Sequence, residues 1–195
     1  MNTDVMFSSK TDKWSTPQDL FDELNEEFHF TLDPCADETN HKCEKYYTKE
    51  QDGLSQCWRG ETVFCNSPYG KEIGDWIKRC YMHSVIDCGT AVMLIPSRTD
   101  TKWFHNYIYK NPNAEVRFLK GRLKFGEAKN SAPFPSMVVV FRNKKETMVN
   151  AHEFIEHLLK QQEKPSDLLE IINRGCAIYE MRKFIGEIEE GAQHD

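Results

Sequence analysis

Short apolar runs alternate along the chain with segments in which apolar residues recur every three or four positions. The runs predict strands at residues 28–32, 61–65, 91–95, 116–119 and 137–141. Helical spacing follows Thr16 and Pro17, which can cap and begin a helix, and it recurs at residues 73–80 and 100–109. Alternating strands and helices predict an α/β fold of Rossmann-like type with a mostly parallel, twisted sheet.

The pattern divides the chain into three parts. Residues 1–13 are polar and predict a flexible leader, residues 14–142 hold the α/β domain, and residues 143–195 predict a helical C-terminal extension. The leader has no apolar signal-peptide core, and no apolar run approaches the roughly 18 residues that a membrane span needs. We therefore expect a cytoplasmic protein that does not enter a membrane.

The seven cysteines include no Cys-x-x-Cys pair. An odd count favours reduced thiols over a disulfide framework. A zinc site from Cys35, His41, Cys43 and Cys57 would match no usual ligand spacing, so we expect no metal.

Charge is segregated along the chain. The net charge is −6, but residues 98–129 contain eight basic and three acidic residues. A basic segment on an acidic body can bind phosphates, although a solvated basic face has the same composition.

Three of the predicted strands end in polar or proline-bearing loops, which begin at Asp33, Asn66 and Pro96. Ligands of open α/β sheets bind beyond the carboxyl ends of the strands. In the loop Asn66-Ser67-Pro68-Tyr69, the Asn66 side-chain oxygen and the Ser67 carbonyl can accept hydrogen bonds from an exocyclic amine. Pro68 restricts Ser67 to an extended conformation, and Tyr69 can stack on a base. A plain strand-to-helix turn would have a similar composition.

This loop resembles the Asn/Asp-Pro-Pro-Tyr motif of amino-methyltransferases, and the wider chain resembles the phage-type Dam family of DNA N6-adenine methyltransferases. The matching stretches are Trp14–Pro17, Leu32–Ala36, Asn40–Cys43, Tyr46–Thr48, Asp52–Leu54, Cys65–Gly70, Leu94–Thr101, Trp103–His105, Gly121–Phe125 and Ala132–Ser136. The resemblance implies an S-adenosylmethionine-dependent methyltransferase that flips an adenine out of double-stranded DNA and methylates its N6 amine. We expect the protein to act as a monomer or weak dimer.

The resemblance also implies residue roles. Asn66, Ser67, Pro68 and Tyr69 are the catalytic loop. The cofactor is expected to contact Trp14, Thr16, Pro17, Asp33, Cys35, Ala36 and Asp52. Asp33 would hold the methionine amine or order its loop, while Asp52 would bind the cofactor's adenine or ribose, or serve only as a turn residue. The expected DNA contacts are Arg98, Lys102, Arg117, Arg122 and Lys124. Phe125 is a candidate to wedge or stack, although an aromatic residue near a strand is more often part of the core.

The chain departs from the family pattern at two places. Ser67 replaces the first proline of the motif, which keeps the backbone carbonyl but removes the ring's restriction on φ. Asp33-Pro34-Cys35-Ala36-Asp37 stands in place of the glycine-rich first loop of many methyltransferases. The alternatives are methylation of the cytosine N4 amine or of a protein glutamine amide, and a DNA-binding module with weakened catalysis.

Overall fold

The computed structural model describes residues 14–126 and 130–143. Within them lie helices α1 (Gln18–Phe28) and α2 (Ile73–Ile86) and a π-helical turn (Phe104–Ile108). The strands are β1 Leu32–Asp33, β2 Lys45–Tyr46, β3 Thr62–Cys65, β4 Thr90–Pro96, β5 Ala114–Phe118 and β6 Ser136–Arg142. The predicted leader and the predicted C-terminal helices lie outside the described residues.

The α/β class is confirmed, but the prediction of a mostly parallel sheet is wrong in detail. The strand order is β2-β1-β3-β4-β6-β5. Strands β1, β2, β3 and β4 pair in parallel, whereas β6 runs antiparallel to both of its neighbours, β4 and β5. The sheet is therefore mixed.

The reversal at β6 follows from how the chain leaves β5. A parallel neighbour requires a crossover to the far end of the sheet, usually through a helix. The described part of the segment between β5 and β6 contains no helix, and it re-enters the sheet at the edge where β5 ended. Phe118, the last residue of β5, is consequently in register with Met137 near the start of β6.

The core lies on both faces of this sheet. Alternate residues of β4 point to opposite sides, so Met93 and Ile95 join one hydrophobic cluster while Val92 and Leu94 join the other. Helix α2 and the π-helical turn cover the first face, and α1 covers the second. Since β4 is buried from both sides, its uninterrupted apolar sequence is explained.

Two local predictions are corrected near the first helix. Helix α1 continues to Phe28 and ends at His29, whose left-handed φ of 54° stops it. The strand expected at residues 28–32 is therefore reduced to Leu32–Asp33. Thr16 was expected to cap α1, but the helix has no side-chain cap and the Thr16 hydroxyl is used elsewhere. No helix within the described residues is long and apolar enough to cross a membrane.

Candidate active site

A cavity of about 340 Å³ opens at the carboxyl ends of β1 and β3. Six of the seven predicted cofactor residues and two residues of the catalytic loop line it. They are Trp14, Thr16, Asp33, Cys35, Ala36, Asp52, Asn66 and Pro68. The cavity therefore joins the Asp33 loop, the Asp52 loop and the Asn66 loop, which are far apart in the sequence.

 The seventh predicted cofactor residue, Pro17, does not line this cavity.

Asp33 is buried at the end of β1 and faces the cavity. Its carboxylate accepts hydrogen bonds from the backbone N–H groups of Cys35 (3.3 Å) and Lys42 (3.1 Å). Burial raises the pKa of Asp33 to about 6, and these two hydrogen bonds lower it only in part. The site thus holds an acidic group whose ionised form would gain from a cationic ligand.

The Asp52 loop is pressed against the Asp33 loop. A Cβ atom at Gly53 would lie 1.9 Å from the Pro34 carbonyl oxygen, so only glycine fits there. Asp52 adopts a left-handed φ of 50°, and the buried Trp58 indole donates to the Gly53 carbonyl at 2.9 Å. This close approach sets the width of the cavity between the two loops.

The orientation of the Asn66 amide is fixed by two neighbours. Its Nδ2 group donates to the main-chain carbonyl of Trp14 and, at 2.9 Å, to the hydroxyl of Thr16. Because a carbonyl oxygen can only accept, the nitrogen must face Trp14 and the oxygen Oδ1 must point the other way. Oδ1 is buried and has no hydrogen-bond partner among the described residues.

The rest of the catalytic loop packs inward. The Ser67 side chain is buried, and its hydroxyl has no hydrogen-bond partner in the described parts of the chain. Pro68 lines the cavity. The Tyr69 hydroxyl donates to the Leu94 carbonyl at 3.2 Å, and burial raises the pKa of Tyr69. The tyrosine ring is therefore anchored to β4 through its hydroxyl.

Residues Trp14–Thr16 form a strap across this loop. The Ser15 carbonyl accepts a hydrogen bond from the Gly126 N–H at 2.8 Å. The Trp14 ring lies 5.2 Å from the rings of both Phe125 and Phe134, edge-on, and Tyr69 packs against the same two rings. The strap thus connects the cavity, the catalytic loop and the segment that follows β5.

Sequence reasoning missed Trp76, which lines the cavity from α2. Its indole N–H is buried and has no acceptor among the residues that the structure describes. Helical spacing alone indicated a core position, because Trp76 shares an apolar face with Ile73 and Ile77. Further lining residues that were not assigned a role include Asn40, Lys42, Lys49, Glu50, Leu54 and Glu72.

The five predicted DNA contacts separate into two groups. Arg98, Lys102, Arg122 and Lys124 are exposed. The Arg117 guanidinium instead binds the Glu27 carboxylate through two hydrogen bonds of 2.5 and 2.7 Å and the Glu115 carboxylate through a third of 2.7 Å. These pairings make Arg117 a link between β5 and α1 and engage its guanidinium within the protein.

Phe125 is buried among Trp14, Tyr69 and Phe134, which agrees with its interpretation as a core aromatic residue. Across residues 14–126 and 130–143, no group of three or more His, Cys, Asp or Glu side chains could hold a metal ion.

An oriented amide at the carboxyl ends of the strands of an α/β sheet, beside a cavity, is an arrangement that suits an amino-methyltransferase dependent on S-adenosylmethionine. The chain belongs to the DNA N-6-adenine-methyltransferase (Dam) family, whose sequence model matches residues 4–163. It is accordingly an enzyme that methylates the N6 amine of adenine in DNA, with S-adenosylmethionine as the methyl donor.

Individual relatives agree with this assignment. A DNA N-6-adenine-methyltransferase of Haemophilus phage HP1 is 32% identical over 161 residues, which cover 76% of this chain and 92% of that protein. A protein of the same description from Escherichia phage T1 is 32% identical over 98 residues, covering 48% of this chain and 39% of that protein. The putative methyltransferase YfdM of Escherichia coli K12 is 37% identical over 65 residues, 30% of this chain and 71% of that protein. The cytosine alternative is not favoured.

Proposed function

We propose that Asn66 Oδ1 and the Ser67 main-chain carbonyl bind the two N–H groups of the target adenine's amine. The observation that carries this proposal is the buried Asn66 oxygen, which is oriented by Trp14 and Thr16 but has no partner among the described residues. A buried acceptor without a donor is costly, and an arriving N–H group would supply the missing hydrogen bond.

Two acceptors of this kind would change the amine as well as hold it. The lone pair of an exocyclic amine is delocalised into the base, which makes the amine a poor nucleophile. Hydrogen bonds from both N–H groups to fixed oxygens favour a pyramidal nitrogen whose lone pair points away from the ring. Fixing the amine in this geometry also removes much of the entropic cost of the reaction.

The cavity has the size and groups needed for S-adenosylmethionine. Its volume of about 340 Å³ is typical of a small-molecule site. We assign Asp33 to the methionine ammonium, Cys35 and Ala36 to a close backbone approach, and Asp52 to the ribose or adenine. The unpartnered Trp76 N–H would supply a further donor. The bound cofactor supplies an electrophilic methyl group on a sulfonium.

We further propose double-stranded DNA as the form of the substrate, bound by Arg98, Lys102, Arg122 and Lys124. These exposed cations lie on segments that follow the carboxyl ends of β4 and β5, at the same edge as Asn66. Phosphate contacts by such side chains position a duplex without reading its sequence. The protein would act as a monomer or weak dimer in the cytoplasm of a bacterial cell or phage-infected host, where its DNA substrate is found.

The catalytic assignment is tested with labelled S-adenosylmethionine and unmethylated duplex DNA, followed by digestion to nucleosides. Wild-type protein is expected to place the label in N6-methyladenine. The Asn66→Ala variant is expected to lose at least a hundredfold in methyl transfer and to keep its cofactor affinity within a few-fold, measured by calorimetry. An Asn66→Ala variant with a rate near that of the wild type would refute the assignment.

The Asn66→Asp variant is the matched control for amide orientation. It keeps an acceptor oxygen for the amine but turns a second oxygen toward the Trp14 carbonyl, which cannot donate. We expect Asn66→Asp to be both less active and less thermally stable than wild type. Equal stability of the two proteins would argue against the orientation described above.

A further inference from the structure

Phe118 is an exposed aromatic residue at the end of an edge strand. The side chain of this residue, the last of β5, is 68% exposed, the largest value for a bulky apolar residue in the described parts of the chain. Isolated apolar side chains on a surface are common, but a phenylalanine exposed to this degree gains if a partner covers it. Its position indicates which partner that is.

Phe118 lies at the same end of the sheet as the catalytic loop, namely the end at which β3 and β5 both finish. Strand β5 is antiparallel to β6 and β6 is antiparallel to β4, so β5 runs in the direction of β4 and β3. Its last residue therefore emerges where Asn66 follows β3. Three strand spacings separate β5 from β3, which amounts to about 14 Å. A DNA duplex that delivers a base to Asn66 is wide enough to reach Phe118.

The surroundings of Phe118 are basic. Lys120, Arg122 and Lys124 follow it within six residues and are exposed, and Gly121 turns the chain between them with a left-handed φ of 80°. An aromatic side chain among cations complements the stacked bases and phosphates of a nucleic acid. It does not suit an apolar protein surface, which would leave those charges without partners.

We propose that Phe118 inserts into the duplex beside the target adenine and stabilises the opened base stack while the adenine occupies the active site. This inference rests on the proposed base-binding role of Asn66. Flipping a base out costs stacking and pairing free energy, and apolar side chains that enter the stack offset part of it.

Tyr109 provides a matched control. It is the other large apolar residue exposed within the described residues, at 51%. It precedes the start of β5, at the opposite end of the sheet. Its ring stacks on Phe104, and the Lys110 ammonium group lies over it. A Tyr109→Ala variant removes an exposed ring of similar size but should not affect DNA opening.

The experiment compares methylation of two duplexes after modification mapping of DNA from expressing cells has given the target site. In one duplex the target adenine is paired with thymine, and in the other it lies opposite an abasic site. We expect Phe118→Ala to methylate the paired duplex at least tenfold more slowly than wild type and the unpaired duplex within about threefold. Phe118→Leu should recover most of the loss, and Tyr109→Ala should match wild type on both.

A Phe118→Ala rate equal to wild type on the paired duplex would overturn the proposal. An equal loss on both duplexes would also overturn it, because that result indicates a general loss of folding or affinity. A change from dimer to monomer with unchanged methylation would assign Phe118 to contacts between copies of the chain. Failure of the Asn66 proposal is distinguishable, since Asn66→Ala would then methylate both duplexes at wild-type rates.

Discussion

The Asn66 amide nitrogen donates to the main-chain carbonyl of Trp14, a residue 52 positions earlier in the sequence. A main-chain partner fixes which end of the amide faces the strap whatever the identity of residue 14. The Thr16 hydroxyl adds a second contact to the same nitrogen. The catalytic loop is thus aligned by the segment that precedes α1, and this arrangement leads to the first prediction.

Thr16→Val should lower kcat by about two- to tenfold, the effect of losing one hydrogen bond that orients Asn66. Thr16→Ser keeps the hydroxyl and should restore the rate. Steady-state kinetics with excess cofactor separate kcat from KM, and calorimetry measures cofactor affinity. A loss confined to cofactor affinity would mean that Thr16 only lines the cavity.

Ser67→Ala should raise the free energy of unfolding by about 1 kcal/mol, because it removes a buried hydroxyl without a partner among the described residues. The main-chain carbonyl remains, so methylation should stay within twofold of wild type. Ser84→Ala is the control, since the buried Ser84 hydroxyl donates to the Tyr81 carbonyl at 2.7 Å and its loss should destabilise. Chemical denaturation compares the three proteins.

Cofactor affinity should weaken as the pH falls through about 6, the pKa of the buried Asp33. Below that pH the carboxyl group is protonated and cannot pair with the methionine ammonium. The stability of the unliganded protein should depend on pH in the opposite direction. Asp33 binds a proton more tightly in the folded state than in the unfolded state, where its pKa is near 4. The free energy of unfolding therefore falls as the pH rises from about 4 to 6.

Calorimetric titrations from pH 5 to 8 measure this dependence. Asp33→Asn is the control, because a side chain that does not titrate should give a weaker but flat affinity over the same range. A wild-type affinity that is constant from pH 5 to 8 would exclude Asp33 as the partner of the ammonium.

Gly53→Ala should reduce cofactor affinity by at least tenfold and lower the Tm. The added Cβ atom would lie 1.9 Å from the Pro34 carbonyl oxygen, so the two loops that bound the cavity must separate. Gly74→Ala is the matched control in α2, where the nearest atom is 3.9 Å away. It should raise stability by about 0.5–1 kcal/mol through helix propensity.

Arg117→Ala and Arg122→Ala should have different effects. Arg117 pairs with Glu27 and Glu115, so its loss should cost about 1 kcal/mol of stability and leave DNA affinity unchanged. Arg122 is exposed, and its loss should reduce the salt dependence of DNA binding by about one unit of slope. Fluorescence anisotropy at several salt concentrations measures how steeply DNA affinity falls with salt. A change in this slope for Arg117→Ala would show that Arg117 contacts DNA.

The strand-end loops at Asp33 and Asn66 could be predicted from the sequence because polar residues directly follow apolar runs there. The direction of β6 could not, since residues 137–141 are apolar in a way that suits a parallel or an antiparallel buried strand. Trp76 shares the helical spacing of core residues, and only the fold shows that one side of it meets the cavity.

Thr16 shows a second reason why a residue's role could not be predicted from the sequence. Its position before Pro17 is typical of a helix cap, yet its hydroxyl accepts a hydrogen bond from a residue 50 positions away. Arg117 likewise counted toward a basic segment, but its charge is neutralised by Glu27, 90 positions earlier. Glu115, two positions away, is a further and local partner of Arg117. The contacts of Thr16 with the catalytic loop and of Arg117 with α1, however, depend on residues that are distant in the sequence.

The hydrogen bond from the Gly126 N–H to the Ser15 carbonyl joins the basic segment after β5 to the strap. Lys120, Arg122 and Lys124 lie on the segment that ends at Gly126. Gly126 is hydrogen-bonded to the strap, which orients the Asn66 amide. A duplex bound by this segment, as proposed above, would therefore contact a part of the chain that is joined directly to the backbone aligning the Asn66 amide.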